Sequence, residues 1–402
     1  MKDVSYTIFG VTCNYNEKFQ FQNIKMNIIF IRNVDIASTH HVNCEIQLVK
    51  ALNNLNHQAK LIGVGRKNKL KGEIILLKSP FHRRKFFIIK LSFFLLIYCT
   101  IKKIDVVIVD PQIIFSTIFL LLIKSLFNIK IILDVRSIPV EMNLPWDYRF
   151  ACRIAGKYFD GASFITVGTK YYIEQLINSE FTKSILFPSA VNPLIFSPKI
   201  ASNNIPVNIK EKTYEKLVVF YHGSISPNRG LNLILDSINK LKTTFPNIIL
   251  LSLSNNNNYI REYCYKKNYQ LGNHLLLLDI VPYEQVPFYI NLADLCIIPL
   301  PRIKWWEISS PLKLMEYLSM EKPLILSDIE AHLSVVPRNS EFAVYFNPDD
   351  SEDLPKKIEK AVLNLQYLKQ NAPKGRKIIL EKFTWEIQAK TIESFIKSFN
   401  NH

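Results

Sequence analysis

The 402-residue chain lacks most of the short strings that announce a chemistry. It has no C-x-x-C pair, and its six cysteines (13, 44, 99, 152, 264 and 296) are scattered without zinc spacing. That argues against a structural metal and suits a reducing compartment, the cytoplasm. Neither G-x-x-x-x-G-K-S/T nor G-x-G-x-x-G occurs, which weakens P-loop and dinucleotide-dehydrogenase readings. No RNA-binding aromatic motif or zinc finger is present and the lysines are spread along the chain, so nucleic acid is not the expected partner. The longest low-complexity tract is the four asparagines 255–258, so little disorder is expected. The first residues, MKDVSYTIFGVTCNYNEK, have no uninterrupted apolar core or small-residue cleavage site, so they do not read as a secretory signal.

Hydrophobic residues make up 48% of the chain and charged residues 21%, with a net charge of +16. That length accommodates two domains, each with its own core. The positive balance favours an anionic partner such as a nucleotide or an acidic membrane surface, although an abundance of lysine also raises charge without a function behind it. Two apolar stretches are candidates for membrane contact. Residues 86–101 (FFIIKLSFFLLIYCTI) follow HRRK and form a helix of about 24 Å, short of the ~30 Å hydrocarbon core. Two readings stand for it: a buried helix of the first domain, or a basic-flanked helix resting in a membrane interface. IIFSTIFLLLI (113–123) lies between two strand-like runs, where a crossover helix belongs.

From Met26 the chain alternates β-rich runs and helical stretches: NIIFI, CEIQLVKALNNL, AKLIGVG, the long apolar helix, DVVIVD, a helix, IKIILDV and ASFITV. A second such series starts at Leu217 with LVVFY, NIILLSL, LLLLDI, DLCIIPL, PLILS and AVYF, separated by helices. This pattern predicts two α/β domains with parallel, doubly wound sheets. Residues 197–216 have no period and read as a linker, with the boundary near 205. The expected division is a 1–25 extension, a first Rossmann-like domain over 26–205, a second over 206–383, and a terminal helix over 384–402. Each sheet binds ligands beyond the carboxyl ends of its strands, so two facing domains leave a cleft between those ends.

SSPLKLMEYLSMEKPLI (309–325) poses a specific problem. Ser309 or Ser310 can cap a helix and Pro311 suits its first position. Lys313 then stands in the first turn, where a cation opposes the helix dipole by about 0.3–1 kcal/mol unless an anion sits against the free N–H groups. Glu316 follows one turn later, about 5 Å along, at a reach suited to the hydroxyls of a vicinal diol. Phosphate beside diol describes a nucleotide; the competing reading is a surface helix with an ordinary i, i+3 ion pair. Upstream, Gly223 permits a tight turn after LVVFY, and Arg229-Gly230 enters the next helix as a second anion site.

HGSISPNRGLNLILDSINKL, LLLLDIVPYEQVPFYINLADLCIIPL and EISSPLKLMEYLSMEKPLILS, in that order and spacing, resemble the C-terminal domain of family 4 glycosyltransferases with the GT-B fold. The resemblance covers 217 to about 365 well. The first domain is similar more loosely, through FITVGTKYYIEQLI and FPSAVNPLIFSP. FTWEIQAKTIESFIKSF is similar to the helix that returns to the first domain in that fold. The resemblance implies a retaining, metal-independent transfer from a nucleotide-sugar, used as co-substrate with no cofactor. It implies that Arg229 and Lys313, with the backbone at Gly223 and Leu312, hold the diphosphate, and that Glu316 binds the ribose. Ile280, Val281 and Tyr283 would pass the base. Glu307, with Ser309 and Ser310, would lie against the donor sugar, making Glu307, Arg229 and Lys313 the catalytic set. No D-x-D string appears, and Asp349-Asp350 reads as a helix cap.

Four departures stand out. Glu307 and Glu316 are nine apart instead of eight, Ser224 stands where arginine is common, Glu321 replaces an expected glycine, and SNNNN (254–258) replaces the usual glycines. In the first domain, His40 or His41 is a candidate for touching acceptor or donor phosphate, or else an exposed or capping histidine. Asp134 and Arg136 in DVRS either contact the acceptor or form a local buried ion pair. Trp305-Trp306, with Arg302 and Lys304, forms a basic aromatic loop that either guides acceptor or packs over the cleft. The expected function is transfer of a sugar to a hydroxyl of a glycan or lipid-linked acceptor in cell-surface polysaccharide or glycolipid synthesis, at the inner face of the membrane. A nucleotide-sugar isomerase on the same plan, and a non-catalytic nucleotide-sugar-sensing partner of a glycan assembly complex, are the alternatives.

Overall fold

The computed structural model describes residues 5–8, 11–14, 25–35, 43–65, 69–78, 84–138, 144–200 and 205–400. Two strands, β1 (Ser5–Ile8) and β2 (Val11–Asn14), pair antiparallel within the N-terminal extension. The first large sheet uses β3 (Asn27–Asp35), β4 (Gln58–Gly65), β5 (Lys69–Lys71), β6 (Ile74–Lys78), β7 (Val106–Val109), β8 (Lys130–Val135), β9 (Gly161–Phe164) and β10 (Ser184–Leu186). Their order is β10-β9-β8-β7-β3-β4-β6-β5, parallel throughout except for the edge pair β5–β6. The second sheet is wholly parallel. Its strands are β11 (Leu217–Gly223), β12 (Ile248–Ser254), β13 (Leu275–Asp279), β14 (Leu295–Ile298), β15 (Leu324–Ser327) and β16 (Ala343–Phe346), in the order β13-β12-β11-β14-β15-β16.

The strand sequences explain this arrangement. VVIV and LCII are apolar at every position and LILS at all but its last, Ser327, and all three are buried throughout, as required of strands covered by helices on both faces. In chain order the second sheet runs 3-2-1-4-5-6, so its crevice opens between the carboxyl ends of β11 and β14. The corresponding switch in the first sheet lies between β3 and β7.

The final helix, Trp385–Lys397, crosses back to the first sheet. Thr384 caps it by accepting from the Ile387 N–H at 3.2 Å, and Trp385, Ala389, Ile392 and Ile396 bury themselves among Ile28, Phe30, Val106 and Ile132. Val191 and Thr384 form a parallel bridge where the two connecting segments run side by side. Arg376 ties them further, donating to the carbonyls of Phe196 (2.9 Å) and Pro193 (3.1 Å).

Some local expectations need correction. The 197–216 stretch contains a helix, Val207–Thr213, anchored by buried Ile209; its lysines and asparagine hid an apolar anchor. KLKGEIILLK forms β5 and β6, because Gly72 takes φ +56° and turns the chain. The helix after Asp350 starts at Asp353 without a side-chain cap. Asp350 instead accepts the Glu352 N–H at 2.9 Å, and Asp349 accepts from Arg302 Nε at 2.8 Å.

Candidate active site

Strand β11 delivers the first half of the site. Its last residues are His222 and Gly223, and Gly223 has φ +117°, a conformation L side chains rarely adopt. A Cβ there would lie 3.3 Å from Lys313 Nζ, so the missing side chain leaves room for the lysine head. Further on, Gly230 takes φ +72° with the Pro299 carbonyl oxygen 1.7 Å from where a Cβ would be. Only glycine lets this loop press against the end of β14. That contact holds Arg229 at the switch point, its guanidinium 4.9 Å from the Trp306 ring centre, while Trp306 Nε1 donates to the Asn228 carbonyl at 2.6 Å. Burial lowers the Arg229 pKa, with Tyr221 opposing.

The second half is the helix Leu312–Ser319. Pro311 is its N-cap, and neither Ser309 nor Ser310 caps it: Ser309 Oγ donates to the Trp306 carbonyl at 2.8 Å and Ser310 Oγ accepts the Ser189 N–H at 3.1 Å. The surface-helix reading fails here, since every residue from Lys313 to Ser319 is buried. Lys313 is 8% exposed and its Nζ has no hydrogen-bond partner; it lies 4.2 Å from the centre of the Tyr221 ring. Burial holds the Lys313 ammonium well below its ordinary pKa, Arg229 lowers it further, and Glu316 opposes. An unpaired buried ammonium costs several kcal/mol, a cost that an anionic oxygen placed between Lys313 and Arg229 would remove.

Glu316, 2% exposed, places Oε2 3.0 Å from His222 Nε2, without the alignment of a hydrogen bond, so both atoms keep bonding capacity. Behind it, the Tyr317 hydroxyl accepts the His222 N–H at 3.2 Å and its ring meets the imidazole edge-on. Glu316 also acts electrostatically on Tyr283 of the 280–283 loop and on Cys44 of the first domain, whose thiol burial raises to about 12. Ile280 is exposed, Val281 packs on the second core, and the Tyr283 ring is 5.1 Å from Phe196.

The segment leading into this helix is bound to the first domain. The Ile308 carbonyl accepts from the hydroxyls of Thr166 (2.5 Å) and Thr169 (2.8 Å), and Gly168 lacks a Cβ that would stand 2.7 Å from Ile308 Cγ2. Glu307, one residue earlier, turns to Arg302 Nη1 at 3.9 Å with its side chain 30% exposed.

On the first-domain side, Asp134 is not a cleft residue. It is 1% exposed and locked to the Arg32 guanidinium, with Ser163 Oγ donating to it at 2.6 Å. Arg32, from β3, also meets Glu45 (3.2 Å) and Asp110 (3.1 Å). Burial opposes its charge, but Asp134, Glu45 and Asp110 together raise its pKa. The local ion-pair reading therefore holds for Asp134, because one buried guanidinium needs those acids. Arg136 donates to the Phe187 carbonyl and lies 4.3 Å over the Phe187 ring, half-buried. His40 and His41 lie outside the described residues.

Residues 205–378 match the family Glycosyl transferases group 1. The chain is a glycosyltransferase with a group 1 domain. Solved structures share its whole plan. A glycosyltransferase from Rickettsia africae is 15% identical with a TM-score of 0.73, over 94% of this chain and 99% of that one. The sucrose-phosphate synthase of Thermosynechococcus elongatus is 15% identical with a TM-score of 0.75, over the same shares. The HepE protein of Anabaena, solved with UDP-glucose, is 11% identical with a TM-score of 0.71, over 93% of this chain and 100% of that one. These likenesses establish the GT-B fold. No curated protein matches the sequence.

In this glycosyltransferase, sequence reasoning located Gly223, Arg229, Lys313 and Glu316, which the fold brings together at one switch point. It gave Tyr317 no role and missed His222 and Arg32. His222 was findable, since it precedes Gly223 at the end of the strand beside the switch. Arg32 was not, because Glu45, Asp110 and Asp134 come from three separate elements or loops.

Proposed function

We propose that the enzyme takes its sugar from a nucleotide-sugar bound against the second sheet. It passes the sugar, with retention of configuration and without a metal, to a hydroxyl of a glycan or lipid-linked acceptor bound against residues 26–205. Lys313 and Arg229, with the backbone at Gly223 and Leu312, hold the diphosphate; Glu316 takes the ribose hydroxyls; Ile280, Val281 and Tyr283 pass the base; Glu307, Ser309 and Ser310 flank the sugar. Arg136, His40 and His41 are the remaining acceptor-side candidates. The pathway is cell-surface polysaccharide or glycolipid synthesis on the cytoplasmic side of a membrane.

The observation that carries this reading is the buried Lys313 ammonium without a partner, beside Arg229 and one turn before Glu316. When the bond from the anomeric carbon to the phosphate oxygen breaks, negative charge collects on the departing diphosphate. Two fixed cations in a water-poor site stabilise that charge without reorganising. UDP-glucose in the HepE structure supports the donor class.

A melting-temperature screen against UDP-, GDP-, ADP-, CMP- and dTDP-sugars tests it, because a ligand at 100 times its Kd adds about 2.7 kcal/mol. One nucleotide class should raise the melting temperature of the wild type and lose its effect in Glu316→Ala and Arg229→Ala. A shift that survives in both variants, or none with any donor, overturns the assignment.

A further inference from the structure

The helix Arg84–Ile101 is apolar on two opposite faces. Phe87, Leu91, Leu95 and Cys99, spaced by four, are buried in the first-domain core. Ile89, Phe93, Ile97 and Ile101, also spaced by four and turned about 200° away, are 54–69% exposed. The neighbouring helix Ile118–Phe127 repeats the pattern, with Leu122 80% and Leu126 79% exposed. The Phe93 and Phe119 rings, 5.3 Å apart, join the two helices side by side. A third helix, Trp146–Tyr158, continues the surface: Trp146, 75% exposed, stacks on Phe150, which stacks on Phe115. An exposed apolar surface drawn from three helices is far from the scattered single residues of an ordinary surface.

Its charge is mainly positive, with Asp147 beside Trp146 the acidic residue of its three helices. Residues 79–104 and 111–130 contain no Asp or Glu and eight Lys or Arg. Arg84 and Lys85 open the first helix, exposed Lys102 and Lys103 follow its end, and exposed Arg153 stands three residues beyond Phe150. No described helix is long and apolar enough to cross a membrane; the Arg84–Ile101 helix reaches about 27 Å and its inner face belongs to the core. It lies along a surface instead. A bilayer accepts side chains from parallel helices without a matching groove, and anionic headgroups pair with a basic rim.

We propose that this three-helix face docks on an anionic lipid bilayer, with Phe93, Ile97, Leu122, Leu126 and Trp146 entering the acyl boundary and the flanking lysines and arginines at the headgroups. Beneath these helices, Ile308 and Trp305 pack into the same core. The inference does not depend on the donor assignment, and its test contains no donor.

Full-length protein is sedimented with vesicles of phosphatidylcholine alone and of phosphatidylcholine mixed with phosphatidylglycerol. Binding should be at least about tenfold stronger to the mixed vesicles and weaken in about 0.5 M salt. The Leu122→Ser/Leu126→Ser and Phe93→Ser/Ile97→Ser variants should each lose about tenfold or more, the first at an unchanged melting temperature because Leu122 and Leu126 are exposed. Lys102→Glu/Arg153→Glu should lose the preference for the anionic vesicles. Absence of wild-type binding, or binding unchanged in both apolar variants, overturns the proposal. So does a stable dimer that Leu122→Ser/Leu126→Ser converts to monomer, since the face would then be an interface between copies.

Discussion

Ser189 and Ser310 are bonded twice across the cleft: the Ser189 N–H donates to Ser310 Oγ at 3.1 Å, and the Ser189 hydroxyl donates to the Ser310 carbonyl at 2.8 Å. Together with Thr166 and Thr169 on Ile308, they fix the chain two residues before the helix that carries Lys313. The start of that helix is therefore positioned by the first domain. Thr169→Val with Ser310→Ala leaves the buried Ser189 N–H without its acceptor, a loss of about 1–3 kcal/mol. The helix start is freed at the same time. We expect a lower denaturant midpoint and a fall in turnover on the order of tenfold or more, since small displacements of positioned groups are costly. Stability curves and initial rates on the same preparation check both; unchanged rates would show that the bonds hold the fold and not the site.

Lys313 lowers the stability of the ligand-free fold. Its folded pKa lies well below 10.5 through burial and Arg229, so the unfolded chain holds the proton more tightly. The resulting cost is full below the folded pKa and fades as pH rises towards 10.5. Lys313→Met should therefore stabilise the ligand-free protein by about 1 kcal/mol or more at neutral pH, with the difference shrinking at alkaline pH, while nucleotide-sugar binding is lost. Melting curves from pH 7 to about 10, with and without donor, test this. A variant less stable than wild type across that range contradicts the account of an unpaired charge.

Much of this was readable from the chain. Apolar runs of four to seven residues specified parallel strands, and the Lys313/Glu316 pair stood out because its cation opposes a helix dipole. What could not be read was burial. Leu312–Ser319 looks amphipathic, yet it is enclosed on both sides: the end of β11 meets Lys313, Glu316 and Tyr317, while the Pro373–Lys382 helix and the Phe196 segment cover Leu318 and Ser319, with Ser319 Oγ donating to the Phe196 carbonyl at 2.7 Å. Asp134 likewise reads as a residue at a strand end facing the cleft, until Arg32 arrives from β3, a hundred residues earlier. Local sequence carries propensity and phosphate geometry; the partners of buried charges are set by topology.

Gly230 separates backbone strain from steric contact. Gly230→Ala combines φ +72° with a Cβ 1.7 Å from the Pro299 carbonyl oxygen, so the loop must move and take Arg229 with it. Gly272→Ala meets φ +45° and open space. Each should cost about 1 kcal/mol from conformation alone. Only Gly230→Ala should also weaken donor binding, on the order of tenfold or more. Calorimetric titration of both variants decides it; equal binding would place Arg229 outside the phosphate site.

His332 supplies the pH dependence. It is fully buried, its Nδ1 bonds the Ser327 carbonyl at 2.8 Å, and its Nε2 has no partner. Burial lowers its pKa to about 4, with the Ser327 bond opposing and Lys313 adding to the drop. The unfolded chain takes up a proton as pH falls through 6.5, whereas the folded chain resists until about 4. Stability present above pH 6.5 is thus lost progressively between these limits, by about 3 kcal/mol in all at 1.36 kcal/mol per pKa unit. His332→Asn retains an N–H for the Ser327 carbonyl and has no titrating ring. Its stability should start lower at pH 7 and show a shallower slope between pH 6.5 and 4 than the wild type in denaturant unfolding. Parallel slopes for the two proteins would assign the acid sensitivity to other groups.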